Sequence, residues 1–446
     1  MIELRTIQDF ADFASQSDWG PTLISDLAHR QETDGLAALL FLANPDQPFA
    51  RSGALGGLPI LIKDNIDTMD LPTTAGSFAL SLDPPRRDAA VVARLRAAGA
   101  TIIGKANLSE WANFRGFASI SGWSARGGIA RNPHDPTRST GGSSSGSAAA
   151  VAAGYVPVAI GTETDGSVLC PGAMNGVVGF KSTPGAIDRT GVIPLSHSQD
   201  SVGIFANRVS DARTVATHLV DGPHQALRPR YVIVESLLEG FNPKTLALFE
   251  MTITALQAQG VEITRVPTVN EGSLQPDEEA ELIVLAHELG DDLDRYLKDR
   301  NDAISRSLAD IVAFNAAHVD QELTLFGQEL LAMSLERTWD LATYEKARDT
   351  ILETARLGID AALRAGDADI MLAPTMNAAW LIDTVNGDPN IQGNWAVAAV
   401  AGYPSLTLPI GKLDNLPIGM TMISRAHTDL ALLAEAETVQ HTLAMA

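Results

Sequence analysis

Residues 139–147 read STGGSSSGS, setting Ser143, Ser144, Ser145 and Ser147 among Gly141, Gly142 and Gly146. Hydroxyls crowded on a glycine-rich turn suggest a nucleophile, a phosphate cradle or a flexible linker. Residues 142–146 satisfy G-x-S-x-G with Ser144 in the reactive slot, but that elbow requires a strand immediately before it. The preceding RNPHDPTRST is polar and turn-forming, so the context fails. A linker reading fails as well, because the stretch runs into AAAVAAG, a helical pattern, and then VPVAIG, a buried-strand pattern. Residues 161–167, GTETDGS, have phosphate-loop spacing, yet no lysine follows Gly166 and two acids would face the phosphates.

A second serine, Ser167, follows Gly166 just beyond the strand pattern at 156–161. Ligands of open α/β sheets bind at the carboxyl ends of strands. A glycine turn there can also aim successive N–H groups at one oxyanion. Residue types alone leave the base open. His197 and Asp200, in SHSQD, would complete a Ser-His-Asp set, although a structural hydrogen bond explains a loop histidine equally well. Lys63 closes the apolar run 58–62, where burial would disfavour its ammonium and free a neutral amine as base. An ordinary ion pair with Asp64 or Asp67 is the competing reading. Cys170 lies in an apolar stretch before Pro171 and reads as packing.

The elements that must position these residues follow from periodicity. Residues 1–53 read as helical, with Leu23, Ile24 and Leu27, then Leu36, Leu39 and Leu40, at helical spacing. LPILIK (58–63) is a buried strand, 88–100 an amphipathic helix ending at Gly99, and 101–105 a second strand. That βαβ rhythm favours a parallel or mixed sheet. Residues 223–365 are acidic and mostly helical, and no Pro/Gly/Ser linker isolates them, so they read as substrate-side cover on the same core. Strand patterns return at 369–375, 405–411 and 419–424, before a closing helix from about 428. The expectation is one α/β domain, a central mixed β-sheet flanked by α-helices. Its signature core spans 54–222, and 366–446 completes it.

With 446 residues, 45% of them hydrophobic, the chain can bury a large core. Its net charge of −22 repels phosphate backbones and anionic membranes, which argues against nucleic-acid or membrane partners. A single cysteine excludes an internal disulfide, and no signal peptide is legible, so a cytoplasmic protein is the expectation.

Between 54 and 207 the segments GGLPILIKDNID, TTAGS, AGATIIGKANLSEWANF, GGSSSGSAAAVAAG, GTETDGSV, GVVGFKSTPG and LSHSQDSVG occur in this order. Together they resemble the amidase signature family. Weaker similarity continues through SLADIVAFN, FGQELL, APTMNAAW and AVAGYPSLTLPIG, so the resemblance covers nearly the whole chain. It implies a Ser–cisSer–Lys triad made here of Ser167, Ser143 and Lys63. Lys63 would accept a proton through Ser143, Ser167 would attack an amide carbonyl, and backbone groups of Thr164, Asp165, Gly166 and Ser167 would hold the oxyanion. No cofactor and no metal are implied.

Departures from the family pattern narrow the expected substrate. Asp165-Gly166-Ser167 replaces a common Gly-Gly-Ser, and GTETDGS followed by CP looks most like the peptide-amidase-like branch, whose type member removes C-terminal amides of peptides. Acid-recognising members carry arginine two or three residues after the nucleophile, where this chain has Leu169 and Cys170. A neutral small-molecule or peptide amide is therefore expected. Ser182 replaces a common proline. Trp111, Phe114 and Trp123 are candidates to line an apolar pocket, although core packing explains them as well. Phe326 and Gln328 in FGQELL are candidates at the substrate entry, and Asp165 either binds an amine or holds its loop. The rival readings are an amidotransferase component that passes ammonia to a partner-bound substrate, and a non-catalytic binding protein on the same scaffold.

Overall fold

The computed structural model describes residues 1–15, 18–222, 225–300, 302–389 and 392–445. Its centre is an eleven-stranded sheet. In chain order the strands are β1 (Leu39–Leu42), β2 (Pro59–Lys63), β3 (Thr101–Ala106), β4 (Val158–Glu163), β5 (Val178–Lys181) and β6 (Ser201–Ala206). They continue as β7 (Arg230–Val234), β8 (Glu262–Val266), β9 (Ile370–Pro374), β10 (Ser405–Leu413) and β11 (Leu416–Ile423). Across the sheet they run β1-β3-β2-β4-β6-β5-β10-β11-β9-β7-β8. Pairing is parallel for β3-β2-β4 and for β9-β7-β8, and antiparallel elsewhere. The expected α/β architecture with a mixed sheet is what forms.

β2 and β4 are buried at every position, as continuous apolar runs covered on both faces must be. Their parallel register, Ile60 opposite Val158 and Ile62 opposite Ile160, brings Lys63 and Thr162 to the same end of the sheet. The expected helix at 148–154 starts earlier, at Ser145, and spans Ser145–Ala152 with every side chain buried. Only small residues allow such an approach. A Cβ on Gly146 would lie 2.2 Å from the Ala38 carbonyl oxygen and 2.6 Å from the Asn107 backbone.

Two expectations of local structure are corrected. Leu39 and Leu40, read as helical, belong to edge strand β1, which pairs antiparallel with β3 across a register shift between Leu39 and Phe41. A short apolar run carries no decisive period, and here the free edge of β3 captured it. The acidic stretch 223–365 is mainly helical, yet it also supplies β7 and β8, so it extends the sheet as well as covering it. Its longest helices, Glu278–Arg300 and Leu341–Ala365, pack on each other. Among the described residues no helix is long and apolar enough to cross a membrane.

Gly146→Ala is expected to destabilise the protein by about 1–3 kcal/mol, since the obstructing atoms are backbone and cannot rotate away. A denaturant midpoint unchanged from the parent would contradict this close approach.

Candidate active site

Lys63 ends β2 with its side chain fully buried. Its Nζ donates to Ser143 Oγ at 2.7 Å, to Thr162 Oγ1 at 2.9 Å and to the Thr162 carbonyl at 3.3 Å. Burial drives the amine down to about 7, against the opposing pull of Asp200 and Glu163. Above about pH 7 the amine is neutral. No ion pair with Asp64 or Asp67 holds it: Asp64 instead faces Lys105 at 3.4 Å, and Asp67 takes the Tyr296 hydroxyl.

Ser143 stands between Lys63 and Ser167. Its Oγ donates to Ser167 Oγ at 3.1 Å, and its carbonyl accepts the Ser109 N–H. The Gly142–Ser143 peptide bond is cis. The neighbouring serines have other partners. Ser144 Oγ donates to the Thr162 carbonyl and accepts the Thr162 N–H, binding the loop to β4. Ser147 Oγ donates to the Ile160 carbonyl, and Ser145 Oγ to that of Ser143. One hydroxyl of the four therefore reaches the Ser167 hydroxyl, and the other three anchor the loop and helix.

Ser167 is 7% exposed, at the end of the turn that leaves β4. Glu163 holds this turn from inside, its Oε2 accepting the N–H of Val168 at 2.7 Å and of Leu169 at 3.0 Å. Gly166 adopts φ +73°, and a Cβ there would lie 2.6 Å from the Trp395 ring, so glycine is required twice over. Thr164 Oγ1 donates to Asp200 Oδ1 at 2.6 Å. Among the described residues, no acceptor takes the backbone N–H of Asp165 or of Ser167. Burial and the carboxylates of Glu281, Glu163 and Glu278 raise Asp165 well above the usual range, and its Oδ1 is buried without a partner among the described residues.

The structure rejects the Ser-His-Asp reading. His197 Nδ1 lies 2.8 Å from Asp292 Oδ2 and its Nε2 3.3 Å from Glu288 Oε1, both on helix Glu278–Arg300. The Asp292 hydrogen bond raises the imidazole against partial burial. Asp200 instead accepts the N–H groups of Leu195 and Ser196 as well as Thr164 Oγ1. Donor atoms of His197, Glu288 and Asp292 lie within 4.8 Å of one another, a spacing that suits a metal. Glu288 already accepts from Ser196, Ser198 and Tyr344, which leaves it little capacity as a ligand. Cys170 is packed against Met174, and burial pushes its thiol up to about 12, so it is no nucleophile.

The candidate substrate residues divide. Trp111 and Phe114 are buried in a cluster with Leu285 and Leu330, and Trp111 Nε1 has no hydrogen-bond partner among the described residues. Trp123 and Phe326 meet edge to face at 5.1 Å, with the buried Arg115 guanidinium over both rings. Gln328 is engaged elsewhere, accepting from Asn315 and donating to the Val312 carbonyl. Ser182 has a structural use: its N–H and Oγ both donate to the Val202 carbonyl, and a proline would lack that N–H. Sequence reasoning missed Thr162 and Asn65, whose Nδ2 donates to Thr162 Oγ1 at 3.0 Å. Thr162 stands in the recognised GTETDGS neighbourhood, but only the register of β4 against β2 points it at Lys63.

A buried lysine in line with two serines is an arrangement able to activate a serine, and the family match makes the class a serine hydrolase acting on amides. The chain matches the Amidase profile over residues 38–433 and belongs to that family, within its peptide-amidase-like branch. It is 39% identical to the peptide amidase PAM in complex with the competitive inhibitor chymostatin. The two superimpose with a TM-score of 0.88 over 98% of this chain and 97% of that one. A probable amidase of Arabidopsis thaliana is 36% identical over 82% of this chain and 73% of its own length. A glutamyl-tRNA(Gln) amidotransferase component of Symbiobacterium thermophilum is 33% identical over 85% of this chain and 82% of its own.

Asp200→Asn removes a negative charge that favours the Lys63 ammonium while keeping an oxygen for Thr164. The acid limb of kcat/KM against pH is expected to move to lower pH. An unmoved limb, or one displaced upward, would sever Asp200 from the titration of Lys63.

Proposed function

We propose that this amidase hydrolyses neutral carboxamides, with C-terminal amides of peptides as the leading class, through an acyl-enzyme on Ser167. The observation that carries this reading is the unbroken line from Lys63 Nζ through Ser143 Oγ to Ser167 Oγ, at 2.7 and 3.1 Å. Hydroxyl protons rotate to suit their partners, so the line can run in the catalytic sense once the amine is neutral. Ser167 then passes its proton to Ser143 as Ser143 passes its own to Lys63, and Ser167 Oγ bonds to the amide carbon. The unclaimed N–H groups of Asp165 and Ser167 offer donors to the oxygen where negative charge develops, while the Gly166 N–H between them is turned to the Glu163 carboxylate.

Collapse of the tetrahedral intermediate breaks the C–N bond, and the Lys63 proton returns through Ser143 to the leaving nitrogen. Water then attacks the ester, its proton passing through Ser143 to Lys63, and collapse releases the acid as that proton returns through Ser143 to Ser167 Oγ. Leu169 and Cys170 stand where acid-recognising members of the family carry an arginine, which supports a neutral substrate. The likeness to a peptide amidase supports the same class.

Ser167→Ala is expected to lose all labelling by a fluorophosphonate probe, while Ser144→Ala labels like the parent; the reverse pattern sinks the assignment. Lys63→Ala should cost about 10²–10⁴-fold in kcat/KM with the fold retained by circular dichroism. In the parent, kcat/KM should rise as pH climbs through about 7, because only the neutral amine accepts a proton. Across a panel of peptide amides, aryl amides, small aliphatic amides and free glutamine, peptide amides are expected to turn over fastest. Glutamine as the sole substrate would favour the amidotransferase reading.

A further inference from the structure

Apart from the triad, the molecule holds an open cavity of about 740 Å³ between residues 85–87, residues 189–200 and helix Glu278–Arg300. Five arginines line it: Arg86, Arg87, Arg189, Arg295 and Arg300. We propose that this cavity is a binding site for a phosphate group, free or carried on a small molecule.

Three of these five arginines form no ion pair among the described residues. Of the four aspartates at its wall, Asp292 is taken by His197 and Arg295, and Asp67 by the Tyr296 hydroxyl and Arg300. Asp200 is held by two N–H groups and Thr164. Only Asp299, exposed on the helix, is without a partner among the described residues. Against it stand Arg86 and Arg87, which form no ion pair with any described residue. Arg189 uses two of its N–H groups on carbonyl oxygens, those of Asp200 at 2.7 Å and His197 at 3.0 Å, and forms no ion pair, the Asp200 carboxylate acting on it only at a distance.

Arg300 supplies an independent sign. Its side chain is 3% exposed, its Nε pairs with Asp302 and its Nη1 donates to the Thr73 carbonyl. Its Nη2 is buried with no hydrogen-bond partner among the described residues. That donor is left unsatisfied inside the protein, at a cost in free energy that an acceptor admitted by a small shift of the side chain would relieve. Guanidinium groups approaching from three separate segments suit a tetrahedral oxyanion, which presents acceptors in several directions, better than a planar carboxylate. The volume matches a small-molecule site.

The test is isothermal titration of the whole protein at constant ionic strength with inorganic phosphate, glycerol phosphate and malonate. A variant carrying both Arg86→Ala and Arg87→Ala is titrated alongside. Both side chains are exposed and unpaired among the described residues, so the variant should fold, which its melting temperature checks. Saturable binding of phosphate or its monoester, weakened at least tenfold in the variant, is the expected result. Tighter binding of the monoester identifies a phosphorylated small molecule as the ligand, and equal binding identifies free phosphate. Three outcomes overturn the proposal: no saturation below about 10 mM phosphate, equal affinity in parent and variant, or malonate bound more tightly than both phosphates.

Discussion

Everything in the site depends on keeping the Lys63 amine out of water. An ammonium there would lose its hydration, and its partners are a carbonyl, two hydroxyls and two carboxylates at a distance rather than in contact. Desolvation outweighs the pull of Asp200 and Glu163, so the amine reaches neutrality near pH 7. A direct ion pair would have fixed it as a cation and ended its use as a base. Lys105, one strand away, is also lowered by burial but has Asp64 at 3.4 Å to favour its charge, while Lys63 is given one serine and one threonine.

That environment requires an interior with few gaps, and small residues provide it. The helix Ser145–Ala152 lies against β2, β3, β4 and β6 with nothing larger than valine on it. Its serines are tied by hydroxyl bonds to backbone oxygens, so a polar segment is buried with its donors satisfied. Ser143 is placed by those neighbours and by the Ser109 N–H on its carbonyl. Glu163 does the same on the other side, holding the turn that presents Ser167.

The acidic helices form part of the same structure. Helix Glu278–Arg300 carries Glu288 and Asp292 to His197, and Glu281 to Gln199, whose amide reaches the Thr164 carbonyl. Arg115, fully buried, donates to Glu110 and to the carbonyls of Glu322, Phe326 and Gly327, fastening the segment around Phe326 to the Trp123 wall. The bonds to those carbonyls join segments far apart in the chain, so cover and core are one mechanical body.

Much was legible in advance because it depends on local order. The buried runs at 58–63 and 156–161, the glycine turn at Gly166 and the ordered motifs singled out Lys63, Ser143 and Ser167, and the structure brings these three together. The sequence alone also weighed against Ser144, because the residues before it carry no strand pattern. The structure corrects that ground, forming a short strand at Asp135–Ser139, and turns Ser144 away by its bonds to Thr162 instead. The sequence could not say that Leu39 and Leu40 would join a sheet edge, or that 230–234 and 262–266 would extend the far side, because strand capture depends on which edge is free. It offered Asp200 beside His197 and could not foresee Asp292, or find Thr162 and Asn65 beside Lys63. Those pairings are made between segments dozens to hundreds of residues apart. Type and spacing name the groups able to do chemistry, and only the packed chain decides which of them lose their water together.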